Sequence, residues 1–84
     1  MKLSVNIEDI TGTQMAAKIV GNFSIEQNSF PFTGIAFGRI GGQNVGVKLT
    51  EDVEKKIVEL GYNIDEVIET LQKNLIHGLS LIHI

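Results

Sequence analysis

The hydrophobic pattern of this chain changes its period once, at Thr50, and that change most constrains the fold. Before Thr50, apolar residues recur at every second position, as in Leu3, Val5 and Ile7, which is typical of half-buried β-strands. After Thr50 they recur at intervals of three and four, which is typical of amphipathic helices. Strands followed by helices predict an α+β domain, with a four-stranded antiparallel sheet and one broken or two consecutive helices packed on one face.

The first two strands are predicted to pair as antiparallel neighbours. The first ends near residues 8–9 and is followed by a turn at 11–13. The second runs over 15–25, and Met15 is expected on its apolar side. Glycine inside a strand often marks a bulge, so we expect one at Gly21.

The third and fourth strands are separated by glycines. A polar stretch at 26–29, together with Pro31, the only proline, predicts a loop before a third strand over 32–40. Gly41 and Gly42 then predict a tight hairpin turn, because glycine tolerates the positive φ angles of such turns. A fourth strand is expected over 45–49.

Capping residues delimit the helical half. Thr50 is predicted to cap the first helix, Gly61 to end it, and Asn63 to cap the second, with Glu66 placed as in a capping box. The two apolar stripes are Val53, Ile57, Val58 and Leu60 in the first helix, and Ile64, Val67, Ile68, Leu71 and Leu75 in the second.

Size and composition favour self-association. A chain of 84 residues buries little core, and without cysteine it cannot add a disulfide. With an apolar content of 43%, we therefore expect a homo-oligomer, most simply a dimer or a multiple of two. A net charge of −3 argues against direct nucleic-acid binding. The chain shows no membrane span or signal-peptide pattern, which indicates the cytoplasm.

The last six residues, 79–84, read LSLIHI and resemble the translation of a transposon-end adapter used in preparing sequencing libraries. Scars of this kind are set aside in fold reasoning. We therefore interpret 1–78 as one domain and 79–84 as a non-native tail.

The glycine-rich segment at 34–46 holds five of the nine glycines and is the candidate ligand site. Backbone with few side chains allows a ligand close approach, which places Gly38, Gly41 and Gly42 in the predicted site. Arg39, the only arginine, is the predicted anion-binding group because its planar fork suits phosphate. Phe37 is included as a neighbouring aromatic. The alternative is a curved hairpin with a solvated arginine.

Phe30 and Phe32 flank Pro31 and are expected on the same side of an extended segment. One reading makes one of them a stacking platform for a base, with Phe32 assigned to the ligand site. The other places both in the core or at a subunit contact, because a small domain has few large side chains to bury.

No residue pattern indicates catalysis. His77 has no nucleophile or acidic partner visible in the sequence, and there is no cysteine, so we expect neither an enzyme nor a cofactor. Glu66 and Glu69 lie beside an apolar helical stripe and are interpreted as its solvated flank, so no metal site is predicted.

Small size, acidic charge, lack of cysteine and strand-then-helix order together resemble the small anti-defence proteins of phages. The resemblance is one of overall profile and implies a phage-encoded or mobile-element protein in the host cytoplasm, which sequesters a nucleotide-type signal. Two alternatives remain open. One is a virion, assembly or accessory structural protein, and the other is a protein inhibitor of a host nuclease.

Overall fold

The computed structural model of the protein describes residues 2–13, 15–37 and 44–80, the side chains of 79 and 80 excepted. Four strands form one antiparallel sheet in chain order, and two helices follow and pack against it. The α+β prediction is therefore confirmed. The elements are β1 (Leu3–Gly12), β2 (Ala16–Ile25), β3 (Asn28–Phe37), β4 (Asn44–Lys48), α1 (Glu51–Glu59) and α2 (Ile64–Ser80).

A bulge in β1 allows this strand to extend beyond its predicted end. Ile7 pairs with Gly21 and Asp9 pairs with Val20, so Glu8 is the extra residue. The bulge was predicted at Gly21, on β2, but it lies on β1, opposite Gly21. A Cβ atom at Gly21 would collide with the carbonyl oxygen of Asn6, which explains the glycine. The bulge resets the alternation, and Ile10 packs against the core beyond it.

The predicted loop at 26–31 is a two-residue turn. Ile25 pairs with Asn28, and Glu26 adopts a φ of 56° in the turn between them. Pro31 therefore lies inside β3, where β4 does not flank it, because β4 pairs only from Thr33 onward. Such an open flank is where a sheet tolerates proline.

At the other end of this hairpin, β2 begins at Ala16, so Met15 precedes the strand. Its side chain is 77% exposed, which corrects the prediction that it lies on the apolar side. Thr13 organises the preceding turn, because its hydroxyl accepts hydrogen bonds from the backbone N–H groups of Met15 and Ala16 at 3.2 and 3.3 Å.

The third strand ends at Phe37 among the described residues, and Phe37 pairs with Asn44 as the last pair of β3 and β4. The predicted turn at Gly41 and Gly42 lies outside the described residues.

Both helices begin, and α1 ends, where the capping residues predict. The Thr50 hydroxyl accepts from the N–H of Val53 at 3.3 Å, and the Asn63 side chain accepts from the N–H of Glu66 at 3.1 Å. Gly61, at a φ of 92°, ends α1. The Gly61 N–H donates to the carbonyl oxygen of Val58 at 2.9 Å, and the Tyr62 N–H donates to the carbonyl oxygen of Ile57 at 3.1 Å. These two hydrogen bonds form a Schellman motif.

The core lies between one face of the sheet and the two helices. At its centre, the Phe23 ring lies 5.5 Å from that of Phe30 and 6.2 Å from that of Phe32, measured between centroids. The other buried side chains of this cluster are Ile19, Ile25, Val53, Ile57, Val67, Leu71 and Leu75. The stripe of α2 is thus buried at its centre. Val58 of α1 and the C-cap residue Leu60 are exposed, however, which corrects their assignment to the same apolar stripe as Val53 and Ile57.

Among the described residues, helix α2 runs to Ser80, two residues into the predicted tail, and 81–84 lie outside the described residues. In the part of the chain that is described, no helix has the length and apolarity needed to cross a membrane.

Candidate functional site

The sheet has one face covered by the helices and one open face, which we call the outer face. Because side chains alternate along a strand, the residues directly before and after each core residue point outward. The register places three rows on the outer face: Ala16, Phe37 and Asn44; Lys18, Ile35 and Gly46; Val20, Thr33 and Lys48. These rows lie at the end of the sheet where β3 leads toward β4.

The rows surround a depression of about 530 Å³, the outer-face concavity. The outward side chains that line it belong to Thr11, Ala16, Lys18, Thr33, Ile35, Phe37 and Lys48, and the backbone of Gly46 completes this part of the lining. Ile35 is 47% exposed and Phe37 is 51% exposed, so two large apolar groups face solvent here. A volume of this size is in the range of small-molecule sites.

Gly46 contributes open space to the outer-face concavity. It pairs with Ile35 across β3 and β4, and a Cβ atom built on it would meet nothing within 4 Å. The missing side chain therefore leaves open space beside Ile35. At the neighbouring Gly34, by contrast, a Cβ atom would lie 3.2 Å from the Gly46 carbonyl oxygen, so that glycine permits close backbone packing.

The charged side chains that line the described part of the concavity are two lysines, Lys18 and Lys48. The nearest acids on the outer face belong to the bulge of β1. Glu8 accepts a hydrogen bond from the Asn22 side chain, and Asp9 pairs with Val20, and neither lines the concavity. The concavity therefore combines an apolar floor with positive charge at its rim.

The residues predicted for the ligand site are separated in the structure. Phe37 lies in the concavity, where it is exposed. Phe32 lies on the opposite face with 3% of its surface exposed, and Phe30 is buried beside it. Their burial corresponds to the core interpretation, and Phe32 and Phe37 do not share a surface.

The other predicted members of the site, Gly38, Arg39, Gly41 and Gly42, fall within 38–43, which lies outside the described residues. Arg39 follows Phe37 by two positions in the sequence.

Sequence reasoning missed Lys18, Ile35, Gly46 and Lys48 as members of one site. A signal was present, because Lys18 belongs to the polar half of the alternating pattern, and an apolar residue at position 35 breaks the expected polar face of β3. Their meeting depends on the register of three strands, which alternation alone does not give.

The acidic residues of the helices form a solvated flank, as predicted. Glu69 pairs with Lys73 at 3.2 Å, and both side chains are mostly exposed. Among the described residues, no group of three His, Cys, Asp or Glu side chains is placed to hold a metal ion.

A second depression, of about 580 Å³, lies on α1 and is lined by Glu51, Glu54, Lys55, Val58, Glu59 and Ile64. Three of its four charged residues are acidic. The two depressions thus differ in the sign of their charge, and an anionic ligand is attracted to the outer-face concavity and repelled by α1.

Comparisons of this chain with protein-family models, curated proteins and solved structures find no match.

Proposed function

We propose that this protein is a non-enzymatic binding protein that sequesters a small, nucleotide-type ligand in the outer-face concavity. One observation carries the proposal: an exposed aromatic ring, Phe37, and two lysines, Lys18 and Lys48, line the same apolar concavity. A nucleotide presents the complementary groups, because its base stacks on aromatic rings and its phosphate pairs with ammonium groups.

The lining suits holding a ligand more than transforming one. Among the described residues, its polar side chains are those of Lys18, Lys48, Thr11 and Thr33, and the remaining side chains of the lining are apolar. In a phage-infected cell, a protein of this kind acts by lowering the free concentration of a signal that the host uses for defence. Such a role requires tight binding and abundance but no chemistry.

Calorimetric titration against mononucleotides, cyclic mononucleotides and cyclic dinucleotides tests the proposal. At least one member should bind the wild-type protein, and Gly46→Leu should abolish that binding by filling the concavity. Because Gly46 faces open space, the variant should keep its fold, which circular dichroism checks. Gly78→Leu is the matched control, since a Cβ atom there also meets nothing within 4 Å and lies on α2.

Arg39→Ala belongs in the same series. A loss of binding in this variant would add Arg39 to the site, and unchanged binding would confine the site to the described strands. If no nucleotide binds the wild-type protein, the ligand proposal fails.

A second candidate function is self-association through the outer face, in an assembly or accessory role. It is favoured by the exposure of three large apolar side chains, Met15, Ile35 and Phe37, at one end of the sheet. Light scattering distinguishes the two candidates. Dimers that dissociate when Ile35 and Phe37 are changed to Ser would favour self-association, whereas monomers that bind a nucleotide would favour the ligand.

A further inference from the structure

We infer that the ligand of the outer-face concavity carries two separate anionic groups on an aromatic or apolar body, which is the chemistry of a dinucleotide. The inference rests on the proposed function and narrows its ligand class. It comes from the positions of the two lysines in the register of the sheet.

The two lysines flank β3 from opposite sides. Lys18, on β2, pairs with Ile35, whereas Lys48, on β4, pairs with Thr33. The lysines are therefore two strand spacings apart and offset by two residues along the strands. With ordinary strand spacing and rise, their Cα atoms lie about 12 Å apart.

Between the two lysines lie Ile35 and Thr33 of β3, and the apolar surface extends from Ile35 away from Lys48. Ile35 lies beside Lys18, and Phe37 lies one row further toward the end of the sheet, both about half exposed. A ligand with one phosphate can pair with one lysine while its base rests on Phe37, but it leaves the second lysine without an anion. A ligand with two phosphates can pair with both ammonium groups across the same apolar surface.

The positive charge of Lys18 and Lys48 is bounded on the β1 side by two acidic residues, Glu8 and Asp9. Asp9 pairs with Val20 on the β1 side, and Glu8 is held by the Asn22 side chain. A second anionic group placed toward β1 would therefore meet negative charge. The favourable positions for two anions are confined to β2, β3 and β4, where the lysines lie.

The experiment compares adenosine monophosphate with linear and cyclic adenine and guanine dinucleotides in calorimetric titrations. We expect the best dinucleotide to bind about tenfold more tightly than the mononucleotide, or better, which is the effect of one additional charged hydrogen bond. Lys18→Met and Lys48→Met should each weaken dinucleotide binding by about tenfold, and Lys18→Arg should retain it. Lys55→Met, on α1, is the control for loss of one positive charge.

The outcomes separate this inference from the proposed function. If the mononucleotide and the dinucleotides bind equally well, and one lysine substitution has no effect, the two-anion inference is wrong. The proposed function then still stands, provided that Gly46→Leu abolishes binding. If no nucleotide binds the wild-type protein, both are wrong. Unchanged thermal unfolding of the lysine variants confirms that any loss comes from the site, since both side chains are exposed.

Discussion

The covered and outer faces of this sheet are built from alternate residues of the same four strands, but they differ in what their apolar residues do. On the covered face, Phe23 contacts Phe30 and Phe32, and all three belong to a core cluster that includes residues of both helices and are nearly inaccessible to water. On the outer face, Ile35 and Phe37 lie about half exposed beside an unfilled space. Burial, and not residue type, thus separates side chains that stabilise the fold from side chains free to bind a partner.

The largest effect that tests this contrast is expected from truncating one phenylalanine on each face. Phe23→Ala should lower the free energy of unfolding by about 3–5 kcal/mol, because it removes a fully buried ring and leaves a cavity. Phe37→Ala should change it by less than about 1 kcal/mol, because solvent already reaches the ring. Urea unfolding of both variants measures the difference.

Equal costs at the two positions would contradict the contrast. They would mean that Phe37 is buried in solution, and a dependence of the unfolding midpoint on protein concentration would identify a second copy of the chain as the cover.

A smaller effect is expected from adding one methyl group to a glycine at each position. Gly21→Ala should destabilise the protein by about 1–3 kcal/mol, because the new Cβ atom would run into the Asn6 carbonyl across from it. Gly46→Ala should change stability by no more than about 0.5 kcal/mol, because its Cβ atom enters open space. Thermal and urea unfolding would show the ordering, and a neutral Gly21→Ala would overturn the described pairing of β1 with β2.

The smallest effect concerns Tyr62, in the connection between α1 and α2, and its interaction with Glu26 in the turn between β2 and β3. Burial raises the pKa of the Tyr62 hydroxyl above its ordinary value, and its hydrogen bond to Glu26 and the charge of that residue raise the pKa further. The folded state therefore keeps the proton longer than the unfolded state does. This contribution to stability is complete below about pH 10 and is lost as the pH rises through the higher pKa of the folded state.

Tyr62→Phe should remove that part of the alkaline decline in stability. The measurement is the difference in unfolding free energy between variant and wild type from pH 8 to 11, with Glu26→Gln as the partner control. Because other titrating groups are common to both proteins, an identical decline in the two would show that the Tyr62 contact is absent in solution.

The sequence allowed the order of elements and the helix caps to be predicted because these depend on local chemistry. Thr50, Gly61 and Asn63 act through hydrogen bonds and φ angles within a few residues of themselves. The bulge at Glu8 could not be placed in the same way, because it is defined by which residues of β2 lie opposite. Gly21 was predicted to mark a bulge, but the bulge lies at Glu8, on the strand opposite Gly21.

The candidate site was less predictable than the fold for the same reason. Phe37 was predicted from its place in a glycine-rich segment, whereas Lys18 and Lys48 are 30 positions apart in the sequence and come to the same surface only because β2 and β4 both pair with β3. Phe32 was misleading because an aromatic beside proline is compatible with either face until the strand boundaries are known. The extension of β3 back to Asn28 fixes Phe32 on the covered face.

Pro31 has a consequence for how the protein avoids aggregation. Residues that flank a two-residue turn form a hydrogen-bonded pair, and such pairs alternate with non-hydrogen-bonded pairs along a hairpin. Counting from Ile25 and Asn28, Pro31 and Asn22 form a non-hydrogen-bonded pair, so the Pro31 nitrogen faces away from β2. That is the flank that the short β4 leaves without a partner strand. An incoming strand from another chain would meet a ring instead of an N–H donor there, which protects the exposed edge from templated growth.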